Sequence, residues 1–135
     1  MFFAIRLKWE RVTVSMKGFV KSFGCALAGI LYTLRTQRNM KIHFAAALWV
    51  VTVGIFLDLT AAEWTDITLA VFFVLAAECI NTAVEAAVNL CSPHRHHLAK
   101  AAKDCAAGAV LLAAMHALLV AFFILWPKII RLFQL

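Results

Sequence analysis

Four residues stand out from an otherwise apolar chain. Glu78, Asn81, Glu85 and Asn89 recur at i, i+3, i+7 and i+11, which on an α-helix puts them along one stripe, with Thr82 at its margin. From Ile67 to His94 the only charged residues are Glu78 and Glu85. A carboxylate left alone in hydrocarbon costs at least ~2.5–3.5 kcal/mol on insertion scales, so two on one face call for burial in a bundle, a partner, a cation or a water-filled site.

A second polar group follows a short loop. Lys100, Lys103 and Asp104 lie within about one helical turn of one another, level with the Asn89 end of the stripe. Phosphoryl transfer asks for these residue types: a carboxylate near the acceptor hydroxyl, acids that hold Mg²⁺ between phosphates, and a lysine that offsets phosphate charge. On the residues alone, other readings stay open. The stripe fits interhelical hydrogen bonds that assemble an oligomer or a proton relay in a small transporter, and the lysines fit snorkelling to the headgroups. Between the two groups, Cys91, His94, His96 and His97 offer Zn²⁺ ligand types, but no second half-site accompanies them. Cys25, Cys79 and Cys105 sit in apolar stretches, where a thiol behaves as a small hydrophobe. No disulfide is expected of Cys91 in a reducing cytoplasm. His116, among alanines and methionine, reads as an interhelical or water-facing residue.

The elements that position these residues follow from composition. The chain has 135 residues, of which 64% are hydrophobic and 15% charged, against roughly 45–50% apolar in soluble domains. Its 11 Phe and 4 Trp carry more apolar area than so small a domain can enclose. A soluble domain, a disordered chain, a disulfide scaffold and a two-domain enzyme are all excluded on these grounds. A spanning helix needs about 20 apolar residues, and three segments qualify, at about 42–59, 64–90 and 100–126. The third closes on Trp126-Pro127, an interfacial aromatic and a helix breaker. The sequence therefore predicts a single all-α membrane domain over 1–135, with three transmembrane helices behind an amphipathic, interfacial N-terminal region over 1–41.

Residues 1–41 hold 8 of the 13 Lys+Arg against one acid, Glu10. By the positive-inside rule the N-terminus is cytoplasmic. Arg95, Lys100 and Lys103 put the second loop on the same side, which leaves the C-terminus with Lys128 and Arg131 outside. Phe19, Phe23, Ala26, Leu27, Ile30 and Leu34 recur at helical spacing, while Lys17, Lys21 and Arg35 can reach phosphates. Arg6, Lys8, Glu10 and Arg11 interrupt any cleavable leader, and no nucleic-acid partner is expected. Alanines on the second and third spans, with Gly108, allow close helix approach, so assembly is expected.

The stretch Glu78-Cys-Ile-Asn81-Thr-Ala-Val-Glu85-Ala-Ala-Val-Asn89, followed by Lys100-Ala-Ala-Lys103-Asp104-Cys-Ala-Ala-Gly108-Ala-Val, resembles the prokaryotic diacylglycerol kinase and undecaprenol kinase family. With Arg38-Asn39-Met40-Lys41-Ile42-His43 upstream, the similarity covers most of residues 17–126. The resemblance implies a homotrimer of three-span subunits in the bacterial plasma (inner) membrane, which phosphorylates a lipid alcohol with ATP and Mg²⁺ and uses no P-loop. Glu78 would be the general base, Glu85 a Mg²⁺ ligand, and Asn81 would orient base and phosphates. Lys103 and Asp104 would bind the triphosphate, His94 and His96 the nucleotide. Lys21 would add a nucleotide contact, while Ile30 and Leu34, with Glu78, would face the lipid. The Ser92-Pro93 loop, the Leu98-Ala99-Lys100 run and the Asn39-x-x-Ile42-His43 element lean toward undecaprenol over diacylglycerol.

Three positions depart from the family pattern. Gln37 stands where a Glu is normal that shares the metal with Glu85, Asn89 stands for Asp, and His94 for Glu. Each change removes a negative charge near the triphosphate, so weakened metal binding and a catalytically weakened member come into view. The alternative function is a non-catalytic membrane oligomer or a small transporter built on the Glu/Asn ladder.

Overall fold

The computed structural model describes residues 16–92, 94 and 96–133; expectations placed on residues 1–15, Pro93 and Arg95 lie outside them. The described residues form four helices, α1 (Met16–Thr36), α2 (Arg38–Phe56), α3 (Ala61–Cys91) and α4 (His97–Phe133). At ~1.5 Å per residue, α2 is about 28 Å long, close to the hydrocarbon thickness, whereas α3 and α4 reach about 46 and 55 Å and overhang it. All three are apolar enough to cross a membrane.

Each junction has a local cause. Gln37 is the one residue between α1 and α2; it is extended (φ −95°, ψ 125°), and its N–H donates to the Thr33 carbonyl at 2.8 Å, closing the last turn of α1. After α2, Asp58 takes a left-handed conformation (φ 46°), which a short polar side chain tolerates better than a branched one. Thr60 then starts α3 with a capping box: its hydroxyl accepts from the Glu63 N–H at 3.3 Å, while Glu63 Oε2 accepts from the Thr60 N–H at 2.8 Å.

α4 packs chiefly on α3, α2 lies against α3, and α1 reaches both α2 and α3. Leu59, Ile67 and Leu125 form the buried centre beside the α2–α3 turn, with Trp64, Ile124 and Ile129 around them. Gly54 permits this closeness, because a Cβ there would meet Leu59 Cδ1 at 2.8 Å and the Trp64 ring at 3.0 Å.

α4 does not end at Pro127. The ring deprives the Phe123 carbonyl of its helical donor, yet the helix runs on to Phe133. Tertiary contacts hold the extra turns: Ile129 packs on the core cluster, and Lys128 Nζ lies 3.1 Å from Glu63 Oε2 and donates to the Asp58 carbonyl at 3.5 Å. Lys128, whose expected place outside runs against the charge rule, is thus paired with an acid beside the α2–α3 turn.

Little of the chain is covered. Phe19, Phe23, Trp49, Phe56, Phe72, Phe73, Leu118 and Phe123 are all exposed, on four helices whose backbone is satisfied internally. Such a surface fits lipid and neighbouring subunits as its solvent.

Candidate functional site

The residues of the stripe divide between a buried and an open part. Glu78 is 1% exposed, and Asn81 and Thr82 are buried beside it on α3. Thr82 is spent locally, its hydroxyl donating to the Glu78 carbonyl at 2.8 Å. Asn81 Nδ2 donates to Oε1 of the half-buried Glu85 at 3.4 Å, so the i, i+4 spacing yields a contact between side chains. Two buried oxygens, Glu78 Oε1 and Asn81 Oδ1, have no hydrogen-bond partner among the described residues. Leaving such atoms unmet costs about 1–3 kcal/mol each, more for a charge, and marks a place built for something else.

The polar group nearest in kind to Glu78 is on another helix. His43 Nε2 of α2 lies 3.5 Å from Glu78 Oε1, short of a formed hydrogen bond but within ion-pair reach. The sequence contains His43 in a quoted motif without giving it a role, since nothing in spacing links a residue on α2 to one 35 positions later. Beyond His43, a cavity of about 290 Å³ opens between α2, α3 and α4, lined by Ile42, Ala46, Ile67, Val74 and Ala114 among other apolar residues.

The open part gathers at the α3–α4 link. Asn89, His94, His96, Lys100 and Lys103 line a cleft of about 640 Å³. Lys103 Nζ donates to Asn89 Oδ1 at 2.7 Å, joining the end of the stripe to α4. Asp104 is exposed and pairs with Lys100, four residues earlier on the same helix. His96 has a local duty as well: its Nδ1 accepts from the Leu98 N–H at 3.2 Å at the start of α4, and its ring stacks on His97 with centroids 4.6 Å apart. The Ser92 hydroxyl donates to the His94 carbonyl at 3.0 Å.

The remaining candidates lie on and beside α1. Lys21 and Ile30 are exposed, Leu34 is half-buried, and Gln37 is half-buried at the N-cap of α2, where its side chain makes no cap hydrogen bond. His116 is exposed and meets Phe73 edge-on at 6.5 Å.

Among the described residues no three or more His, Cys, Asp or Glu side chains converge, so Cys91, His94, His96 and His97 do not form a ready zinc site. The oxygens of Glu85 and Asn81 fit another kind of ion. Mg²⁺ is commonly held through one or two carboxylates together with substrate phosphates and water, without an all-protein cage, and an unmet Asn81 oxygen beside Glu85 suits that manner of binding.

Comparison with known proteins adds to this geometry. Residues 24–125 match the model of the family described as prokaryotic diacylglycerol kinase. The chain is 42% identical over 111 residues to "Undecaprenol kinase" of Bacillus subtilis (strain 168), covering 82% of this chain and 90% of that protein. It is 43% identical over 112 residues to "Diacylglycerol kinase" of Synechocystis, covering 82% of this chain and 64% of that longer protein. Against "Diacylglycerol kinase" of Escherichia coli (strain K12) it is 26% identical over 114 residues, with 84% of this chain and 93% of that protein covered.

Proposed function

The chain belongs to the prokaryotic diacylglycerol kinase family, and from that premise we propose that it transfers the γ-phosphoryl group of ATP to the hydroxyl of a membrane lipid alcohol at the cytoplasmic face of a bacterial inner membrane. The observation that carries the reading is the buried Glu78, with a carboxylate oxygen lacking a hydrogen-bond partner, on the same helix as the Asn81–Glu85 pair and within a bundle whose α3–α4 link forms a basic cleft. The ladder as a transporter relay or as a purely structural device has no counterpart among the relatives named above.

Glu78 takes the proton of the acceptor hydroxyl as its oxygen attacks the γ-phosphorus, which is work for a positioned carboxylate in an apolar site. Asn81 fixes Glu85 through its amide N–H and turns its oxygen toward the phosphates. Glu85, with Gln37, would hold Mg²⁺, which would neutralise charge on the nucleotide phosphates. Lys103, at the mouth of the cleft, offsets the charge that builds on the transferred group; Asp104, His94 and His96 take the nucleotide beside it, and Lys21 reaches the phosphates from α1. Ile30 and Leu34 face the lipid chain, with α1 lying in the headgroup layer. Three copies assemble, so that Gln37 and α1 of one subunit serve the Glu85 of another.

Undecaprenol is favoured over diacylglycerol as acceptor on the Ser92-Pro93, Leu98-Ala99-Lys100 and Asn39-x-x-Ile42-His43 elements. The test is transfer of γ-labelled phosphate from ATP with Mg²⁺ to each lipid in mixed micelles. Label in undecaprenol above diacylglycerol, lost in Glu78→Gln, is expected. Label in neither, from a folded oligomer, overturns the kinase reading, and label in diacylglycerol alone overturns the acceptor.

A further inference from the structure

We propose that His43 carries the acceptor's proton away from Glu78 and, between transfers, holds that carboxylate in place. The inference rests on Glu78 being the general base. Each transfer breaks the acceptor O–H bond, forms a bond from that oxygen to the γ-phosphorus, releases ADP with the electron pair of the broken P–O bond, and leaves a proton on Glu78. A protonated Glu78 cannot serve the next acceptor. With 1% of its surface exposed, it has almost no water of its own to take the proton.

His43 supplies the exit. Its Nε2 stands 3.5 Å from Glu78 Oε1, and its side chain is 23% exposed against 1% for the acid, on the second turn of α2. The cavity on its other side is apolar and offers no competing acceptor. An imidazole nitrogen can take a proton and give it up again, which is the chemistry a relay needs. The Glu78 carboxylic acid gives its proton to unprotonated Nε2, leaving a carboxylate and an imidazolium, and the imidazolium then gives up that same Nε2 proton to water at the Arg38 end of α2, which restores the tautomer with hydrogen on Nδ1. While the ring is an imidazolium, its Nε2–H points a donor at Oε1, the oxygen that otherwise lacks one. His43 therefore acts through Glu78 and does not touch the phosphate.

The charged groups around it are few. α3 presents Glu78, with Glu85 two turns further on. The α4 residues lining the cavity, Ala114 and Ala117 among them, carry no charge. α1 packs nearby with its Lys21 and Arg35 exposed, and Lys41 on α2 itself is exposed.

Steady-state lipid phosphorylation by the full chain in micelles tests this. His43→Ala is expected to lower kcat by about ten- to a hundredfold with KM for ATP unchanged, and added imidazole is expected to restore turnover in proportion to its unprotonated form. His43→Gln keeps a hydrogen-bond donor but cannot relay, so it is expected to stay slow and to have a pH–rate profile that differs from the wild type's. His43→Gln working at the wild-type rate with an unchanged pH profile overturns the relay, as does a slow His43→Ala that imidazole does not rescue. Should His43→Ala fail to assemble, His43→Gln decides. Glu78→Gln is run beside them. If it turns over normally the general-base reading falls, whereas an inactive Glu78→Gln with a full-speed His43→Gln removes the relay alone.

Discussion

At Gln37 an amide occupies the place where the family pattern has a carboxylate, and the consequence is electrostatic. An amide oxygen binds Mg²⁺ as a dipole, with no net charge to set against the ion. Gln37→Glu is expected to lower the half-saturating Mg²⁺ concentration by about tenfold, read from initial rates at fixed ATP; an unchanged Mg²⁺ dependence would remove Gln37 from the metal's surroundings. The same scale shows what the sequence reveals and what it hides. Glu78, Asn81 and Glu85 are legible because charge and amide groups in an apolar run share a helical face, and the Asn81–Glu85 contact follows from their spacing. The His43–Glu78 and Lys103–Asn89 contacts join different helices, so no periodicity could announce them. Of the trio Lys100, Lys103 and Asp104 that the sequence puts on one face, Asp104 pairs with Lys100, the ordinary i, i+4 choice when both side chains are exposed.

The helices themselves are legible wherever hydropathy alone decides, and three long apolar helices follow the three apolar runs. Their ends are set by contacts instead. Pro127 reads as a stop because its own ring chemistry is local, while Ile129 and Lys128, which carry α4 onward, are held by residues some 65–70 positions earlier in the chain. Gly54 belongs to the same set of hidden constraints. Placing a side chain there drives atoms into Leu59 and the rigid Trp64 ring, so Gly54→Leu is expected to destabilise the folded protein by about 1–3 kcal/mol. A lowered unfolding midpoint in micelles checks this, and a midpoint at or above the wild-type value would show that the turn relaxes without cost.

For the whole molecule, the bundle buries a small core and leaves large aromatic and aliphatic side chains outward on every helix. Lipid gives helices no hydrophobic reason to associate, so close packing through small residues must supply it. Chemical cross-linking in mild detergent is expected to give a ladder ending at three subunits; a species that stays monomeric while still phosphorylating lipid would overturn the shared site. The sequence is silent about which faces meet, because an apolar face turned to lipid and one turned to a neighbour have the same composition.

The link between α3 and α4 occupies residues 92–96 only, and this brevity bears on how the protein is made. Helices joined so closely leave the ribosome in quick succession and meet through contacts that are near in sequence, the kind that form fastest. α3 and α4 therefore enter the bilayer as a hairpin. Glu78 and Glu85, costly to strand in lipid one helix at a time, reach their depth with α4 already alongside, and the Lys103–Asn89 bond at the hairpin's closed end is formed without having to cross. Glu78 and Glu85 are thus sheltered from the moment of insertion by the same short turn that shapes the cleft of Asn89, Lys100 and Lys103.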